Sequence, residues 1–171
     1  MNPRRLYIGV DLHEKESQVA VYDPDGGLID EKRLPTEKLP HYIASQPGEK
    51  HVGVESIGFI YPVYDALVEA GCDVAVANPH NIQLIAKTRN KNDKVDARVL
   101  GELLRTNFFP RSYIPDAGTR ERRLLVKDRV KYGVRRADLK NSVKWLLKRR
   151  GIKNKSPFSR EGRERLKSLG P

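Results

Sequence analysis

The chain has 171 residues, 32% of them charged and 38% hydrophobic, with a formal net charge of +11. That size suits one compact domain plus an appendage. The balance excludes a disordered chain. No apolar run is long enough to span a membrane, and no signal peptide precedes the first strand-like segment. The lone Cys72 excludes an internal disulfide and fits a reducing cytosol, and the four histidines show no zinc-type spacing.

Leu6 to Val10 is a short apolar run ending at Asp11, and it reads as a buried central strand. Ser17 to Tyr22 and Leu28 to Leu34 continue it as an antiparallel meander, turned at Asp23-Pro24-Asp25-Gly26-Gly27. A helix is expected over Leu39 to Ser45, then a fourth strand, His51 to Val54, which delivers Glu55 at its end. Ile60 to Ala70 reads as a helix stopped by Gly71, Asp73 to Ala77 as a fifth strand, and Asn78-Pro79 as the start of the next helix. Strand–helix–strand with short connections implies parallel neighbours.

The spacing of Val95, Val99 and Leu103 predicts a helix over Lys94 to Thr106, with Asp93 as its N-cap. A turn-rich connector, Asn107 to Gly118, contains the expected domain boundary, dividing 1–110 from 111–171. A long basic helix follows from about Thr119 to Arg150 and stops at Gly151, with a further short helical stretch near Arg160 to Leu169. Leu125, Tyr132, Leu139 and Leu146 form a seven-residue seam, expected to point away from the cations toward the body or another helix.

Charge is divided along the chain. From Arg120 onward there are 19 Lys and Arg against 5 Asp and Glu, while the residues before it carry a net −3. A slightly acidic body followed by a basic arm is the footprint of a protein that grips a polyanion. Arg129, Arg135, Arg136, Lys140, Lys144, Lys148, Arg149 and Arg150 are the candidate nucleic-acid contacts, opposed over residues 128–150 only by Asp128 and Asp138. Solvation of a surface helix is the blander reading, and the scarcity of balancing acids speaks against it.

The strand order is that of the α/β ribonuclease H-like fold, a mixed five-stranded sheet with flanking helices. In such a sheet Asp11 and Glu55 would end neighbouring strands, and Asp93 and Asp96 share one face of a helix start. Carboxylates gathered in low dielectric repel one another unless a hard divalent cation, Mg2+ or Mn2+, lies among them. Paired ions of this kind assist phosphodiester cleavage. Taken singly, each acid is more often a cap, a turn or a solvated residue.

The segments Ile8-Gly9-Val10-Asp11, Val54 to Tyr61, Asn78-Pro79 and Lys91-Asn92-Asp93-Lys94-Val95-Asp96-Ala97-Arg98 resemble the N-terminal DEDD domain of an insertion-sequence transposase family, whose members are also called bridge-RNA-guided recombinases. The pilin-gene inverting recombinase is similar. The resemblance covers essentially the whole chain, and the Lys-x-Asp-x-x-Asp-Ala-Arg element is its most specific part. Ser56-Ile57 departs from a usual Thr-rich pair.

The resemblance implies a Holliday-junction-resolvase-type fold, and Mg2+ (or Mn2+) held by Asp11, Glu55, Asp93 and Asp96 as the catalytic set. It implies double-stranded DNA and a structured guide RNA as partners, and dimers or tetramers. It implies a cytoplasmic, nucleoid-associated protein. It also implies a C-terminal serine domain beyond residue 171, without which the chain is not expected to recombine DNA. Two alternatives compete. An actin-like sugar or acetate kinase would need a glycine-rich turn after Asp11, where Leu12-His13-Glu14-Lys15-Glu16 stands instead. A non-catalytic nucleic-acid-binding module would keep the acids only as relics.

Overall fold

The computed structural model describes residues 4–85 and 93–168, except for the side chains of 93–95. These form two compact units, Met1–Ile114 and Pro115–Pro171.

The first unit opens as a meander, β1 (Arg5–Asp11), β2 (Glu16–Tyr22) and β3 (Leu28–Pro35). A single 3-10 turn, Thr36–Lys38, leads to α1 (Leu39–Ala44) and β4 (Glu49–Glu55). Then come α2 (Ile60–Glu69), β5 (Asp73–Ala77), α3 (Pro79–Ile85) and α4 (Asp93–Arg105). The sheet order is β3-β2-β1-β4-β5. The β1–β2 and β2–β3 pairs are antiparallel, and β4 pairs parallel with both β1 and β5. This is the mixed, helix-flanked five-stranded sheet of the ribonuclease H-like fold that the sequence predicts.

Strand alternation separates two packing layers. Leu6, Ile8 and Val10 of β1, with Val19, Val21, Val52 and Val54, pack against Leu39 and Ile43 of α1 and Ile60 and Leu67 of α2. The other face carries small residues. Ala20 and Tyr22 meet Ala97 of α4, while Ala75 and Ala77 pack with Leu100, Leu104 and Phe109.

Small residues on that second face let α4 approach the sheet backbone to backbone. A Cβ on Gly9 would run into the Ala97 carbonyl oxygen and the Gly101 amide nitrogen. A Cβ on Gly101 would stand 2.8 Å from the Tyr22 ring, and one on Gly53 2.7 Å from the Phe109 ring. At its sides α4 is tied down by ions. Arg98 grips Glu31 of β3 through two bonds of 2.7 and 2.8 Å, and Arg105 Nη1 donates to the Pro24 carbonyl at 3.3 Å.

The compact units divide at 114/115 rather than at the expected 110/111, because the connector belongs to the sheet edge. Arg111 bridges to Ala77, the Ser112 amide donates to the Val76 carbonyl at 2.7 Å, and Ile114 packs on the core of the α1–α2 layer. Arg111 also clasps Asp73 with two bonds of 3.2 and 2.9 Å. That guanidinium, helped by His51, holds the Asp73 carboxyl down at about 2.

The second unit consists of α5 (Ala117–Arg149) and α6 (Arg160–Lys167). At 33 residues α5 is about 50 Å long. It starts two residues before the expected Thr119, because Asp116 caps it: the Asp116 carboxylate accepts the Thr119 amide at 2.9 Å and its hydroxyl at 2.6 Å. Gly151, with φ of +71°, follows its end as expected. No residue of α5 is buried.

The Gly9 contact sets a stability test. Gly9→Ala should cost at least about 3 kcal/mol, the upper end of core overpacking, since the obstacle is backbone that cannot rotate aside. Gly133→Ala on α5, where a Cβ meets nothing within 4 Å, should instead stabilise by about 0.5–1 kcal/mol. Urea denaturation of both variants checks the contrast.

Candidate metal and DNA site

Asp11 and Glu55 are the last residues of β1 and β4. The two strands run parallel in register, Gly9 opposite Gly53 and Val10 opposite Val54, so the next positions, Asp11 and Glu55, are neighbours. Both are two residues beyond glycines on one face of the sheet, Gly9 against α4 and Gly53 against Phe109, which packs with Leu100 and Leu104 of α4, and therefore both carboxylates belong to the α4 face. The row extends sideways. Gln18 of β2 is the direct partner of Asp11, and Ala77 of β5 is the direct partner of Glu55. One line across four strands thus reads Gln18, Asp11, Glu55, Ala77.

Helix α4 brings the third acid. Its N-terminal turns lie at this end of the sheet because Ala97 and Gly101 rest on Gly9, and Asp96 immediately precedes Ala97. Asp93 is the first described residue of α4, and the expected cap geometry lies outside the described residues. The Asp93 side chain lies outside the described residues, as do Lys91 and Asn92. Among the described residues no group of three or more His, Cys, Asp or Glu gathers in a metal-holding cluster. The described structure therefore joins Asp11 and Glu55 in one row, and places Asp96 on the overlying helix.

Asp11 is 8% exposed, and His13 Nε2 donates to its Oδ2 at 3.0 Å. The loop carrying His13 is anchored from below. Thr36 Oγ1 donates to the His13 carbonyl at 2.7 Å, and the Ser17 and Thr36 hydroxyls bond to each other at 2.7 Å. The Thr36 amide donates to the Lys15 carbonyl at 2.9 Å. Buried polar groups of this kind fix a loop because leaving any one unpaired is costly.

The donor set is chemically suited to Mg2+ or Mn2+. Asp11, Glu55 and Asp96 offer only hard oxygens, and the buried Asp11 has a neighbouring carboxylate rather than a Lys or Arg in its row. Sequence reading missed His13 and Gln18. His13 carried no signal, since its loop position says nothing about contact with Asp11. Gln18 did carry one: a long polar residue inside an otherwise apolar strand.

All eight arm cations are exposed, seven on α5 and Arg150 at its C-cap. The Arg149 guanidinium lies 4.5 Å from the centre of the Trp145 ring, and Lys140 Nζ 5.4 Å from that of Phe158. The seam does not point away from the cations as expected. Arg136 follows Tyr132 by four residues, Arg135 precedes Leu139 by four, and Arg149 follows Leu146 by three, so cations flank the seam on the same faces. Leu125, Tyr132, Leu139 and Leu146 are between 53% and 69% exposed.

The sequence profile described as transposase, that of the DEDD family of IS110 elements, matches residues 8–151. Among solved structures, the chain is similar to Thermus thermophilus RuvC in complex with a Holliday junction substrate, at 14% identity and a TM-score of 0.44, over 61% of this chain and 94% of that one. A second Thermus thermophilus RuvC structure matches at 14% identity and a TM-score of 0.43, with the same coverage. Comparison with curated proteins gave no match.

The clamp under His13 yields an expected outcome. Thr36→Val removes a buried hydroxyl that serves both Ser17 and the His13 carbonyl, and should destabilise by about 1–3 kcal/mol. It should also move the His13 ring resonances in NMR spectra, whereas a clamp irrelevant to His13 would leave them in place. With 8–151 matched, most of the chain is accounted for, and it belongs to the IS110 family of DEDD transposases.

Proposed function

We propose that the chain is the metal-dependent DNA-cleaving part of a transposase, and that Asp11, Glu55, Asp93 and Asp96 hold Mg2+ or Mn2+ as its catalytic set. The observation that carries this reading is the parallel register of β1 and β4, Val10 opposite Val54, which makes Asp11 and Glu55 neighbouring strand ends on the α4 side of the sheet. A bound cation would supply charge for a developing oxyanion on phosphorus. The chain's own residues have separate tasks. Asp11 is held in place by His13 Nε2. Glu55 is fixed by the β4 ladder, and the Ser56 amide just beyond it donates to the Ala77 carbonyl at 2.7 Å. Arg98, locked to Glu31, fixes the helix turn that carries Asp96.

The basic arm is the nucleic-acid grip in this reading. Helix α5 carries 12 Lys and Arg against 3 Asp and Glu, and buries none of them. Charge of one sign on every side suits duplex DNA or the backbone of a structured RNA, which is read by shape and phosphate. The finer parts of the proposal are a guide RNA, assembly as dimers or tetramers, a cytoplasmic and nucleoid-associated location, and a serine nucleophile supplied from outside these residues. Among the described residues no helix is long and apolar enough to cross a membrane.

Two outcomes test the halves of this reading independently. In calorimetry, Mn2+ should bind the chain, and Asp11→Asn should weaken binding at least about tenfold, which is about 1.4 kcal/mol. Equal binding by both proteins would overturn the metal assignment. Replacing Arg135, Arg136 and Lys140 with Gln should lower the log–log salt slope of duplex binding by about 0.9 for each phosphate no longer neutralised, leaving Mn2+ binding as it was. An unchanged slope would remove α5 from the interface.

A further inference from the structure

Gln18 is only 3% exposed, and its amide nitrogen Nε2 is buried with no hydrogen-bond partner among the described residues. Such groups are rare, because a donor stripped of water and given nothing in return destabilises the fold. This one is not placed at random. Gln18 is the direct antiparallel partner of Asp11, so the two side chains leave the sheet on the same face. The strand beyond it confirms the face, since Ala20 and Tyr22, two and four residues on, pack against Ala97 of α4.

The described residues offer this amide no acceptor. Asp11, directly opposite, takes its bond from His13 Nε2, and Gln18 Nε2 makes none to it. A metal cation cannot accept a hydrogen bond, so a bound ion alone leaves the amide as it is. An anionic oxygen would satisfy it. The row otherwise holds carboxylates, which repel a phosphate, and a Lys or Arg at this position would neutralise the charge that a cation needs. A neutral donor does neither: it meets an anionic oxygen without competing for the carboxylates.

We propose that Gln18 is a substrate-binding residue of the site, its Nε2 donating to a non-bridging oxygen of the DNA phosphodiester seated against Asp11 and Glu55. This rests on the proposed function, since it takes the carboxylate row as the place where DNA is cut. Gln18 gives up stability in the free protein and gains its missing bond when the phosphate arrives.

The test uses the 171-residue chain, a duplex DNA oligonucleotide in Ca2+ buffer, and Gln18→Met, which keeps length and removes the polar end. Gln18→Met should raise the thermal midpoint of the free protein by about 2–6 °C, because an orphan donor is gone. It should lower DNA affinity about 10- to 100-fold, the scale of a hydrogen bond to a charged group. The salt slope should not change, because a neutral amide displaces no counterion. Mn2+ affinity should not change either. Unchanged DNA affinity in Gln18→Met overturns the assignment, and so does a loss of Mn2+ affinity, which would make the amide a partner of the metal. If Gln18→Met does not fold, Gln18→Asn decides: its shorter amide should still weaken binding, and wild-type affinity overturns the proposal. Failure of the parent chain to bind DNA at all would instead overturn the proposed function itself.

Discussion

The backbone contact between β1 and α4 at Gly9 is the constraint on which the site depends. Three small residues make it possible. Gly9 presents no side chain, Ala97 only a methyl, and Gly101 none, so the helix lies directly on the strand. That contact fixes the height and direction of α4 over the sheet. It thereby sets how near Asp96 can come to the end of β1. It also divides the acidic element Asp93-Lys94-Val95-Asp96-Ala97-Arg98 into jobs. Asp96 is the proposed ligand, Ala97 allows the approach, and Arg98 reaches sideways to Glu31, which ties down this turn of the helix. Burial of apolar surface on the opposite face supplies the bulk of the fold's stability, through Leu6, Ile8, Val10, Leu39 and Leu67. The α4 face gives up some of that burial to gain proximity.

Much of this was legible before the structure. A short apolar run marks β1, alternation marks β2, and the helical spacing of apolar residues marks α4, because burial leaves a trace in the pattern. Asp11 and Glu55 were legible as strand-end acids for the same reason. What escaped was whatever depends on contacts between distant segments. The Arg111–Asp73 clasp joins residues 38 apart and draws the connector onto the sheet edge. The cap at Asp116 was overlooked because Pro115 and Gly118 made the segment look like a turn. His13 reaches Asp11 only because Thr36, 23 residues away, pins its carbonyl. Gln18 was visible as a polar residue in an apolar strand, but its lack of a partner is a fact of packing alone.

The arm illustrates a different limit. A heptad seam in sequence suggests a helix with one apolar and one charged side. On the folded helix the cations at Arg135, Arg136 and Arg149 border the seam, since residues three and four apart share a face. Helix α5 buries no residue, and its Asp116 cap and helix-forming residues support it against the repulsion of its like charges. Its charge opposes that of the carboxylate row. Under the proposed function the chain would separate two tasks: a long-range, salt-sensitive attraction for phosphates along α5, and short-range placement of a phosphate by a few oxygens and one amide.

The claim that the β1–α4 contact builds a cation site is tested most directly by anomalous diffraction from crystals of the chain grown with Mn2+. The account expects an anomalous peak within coordination distance of both Asp11 and Glu55, under the first turn of α4. A peak elsewhere, or none with the ion present in excess, would contradict it.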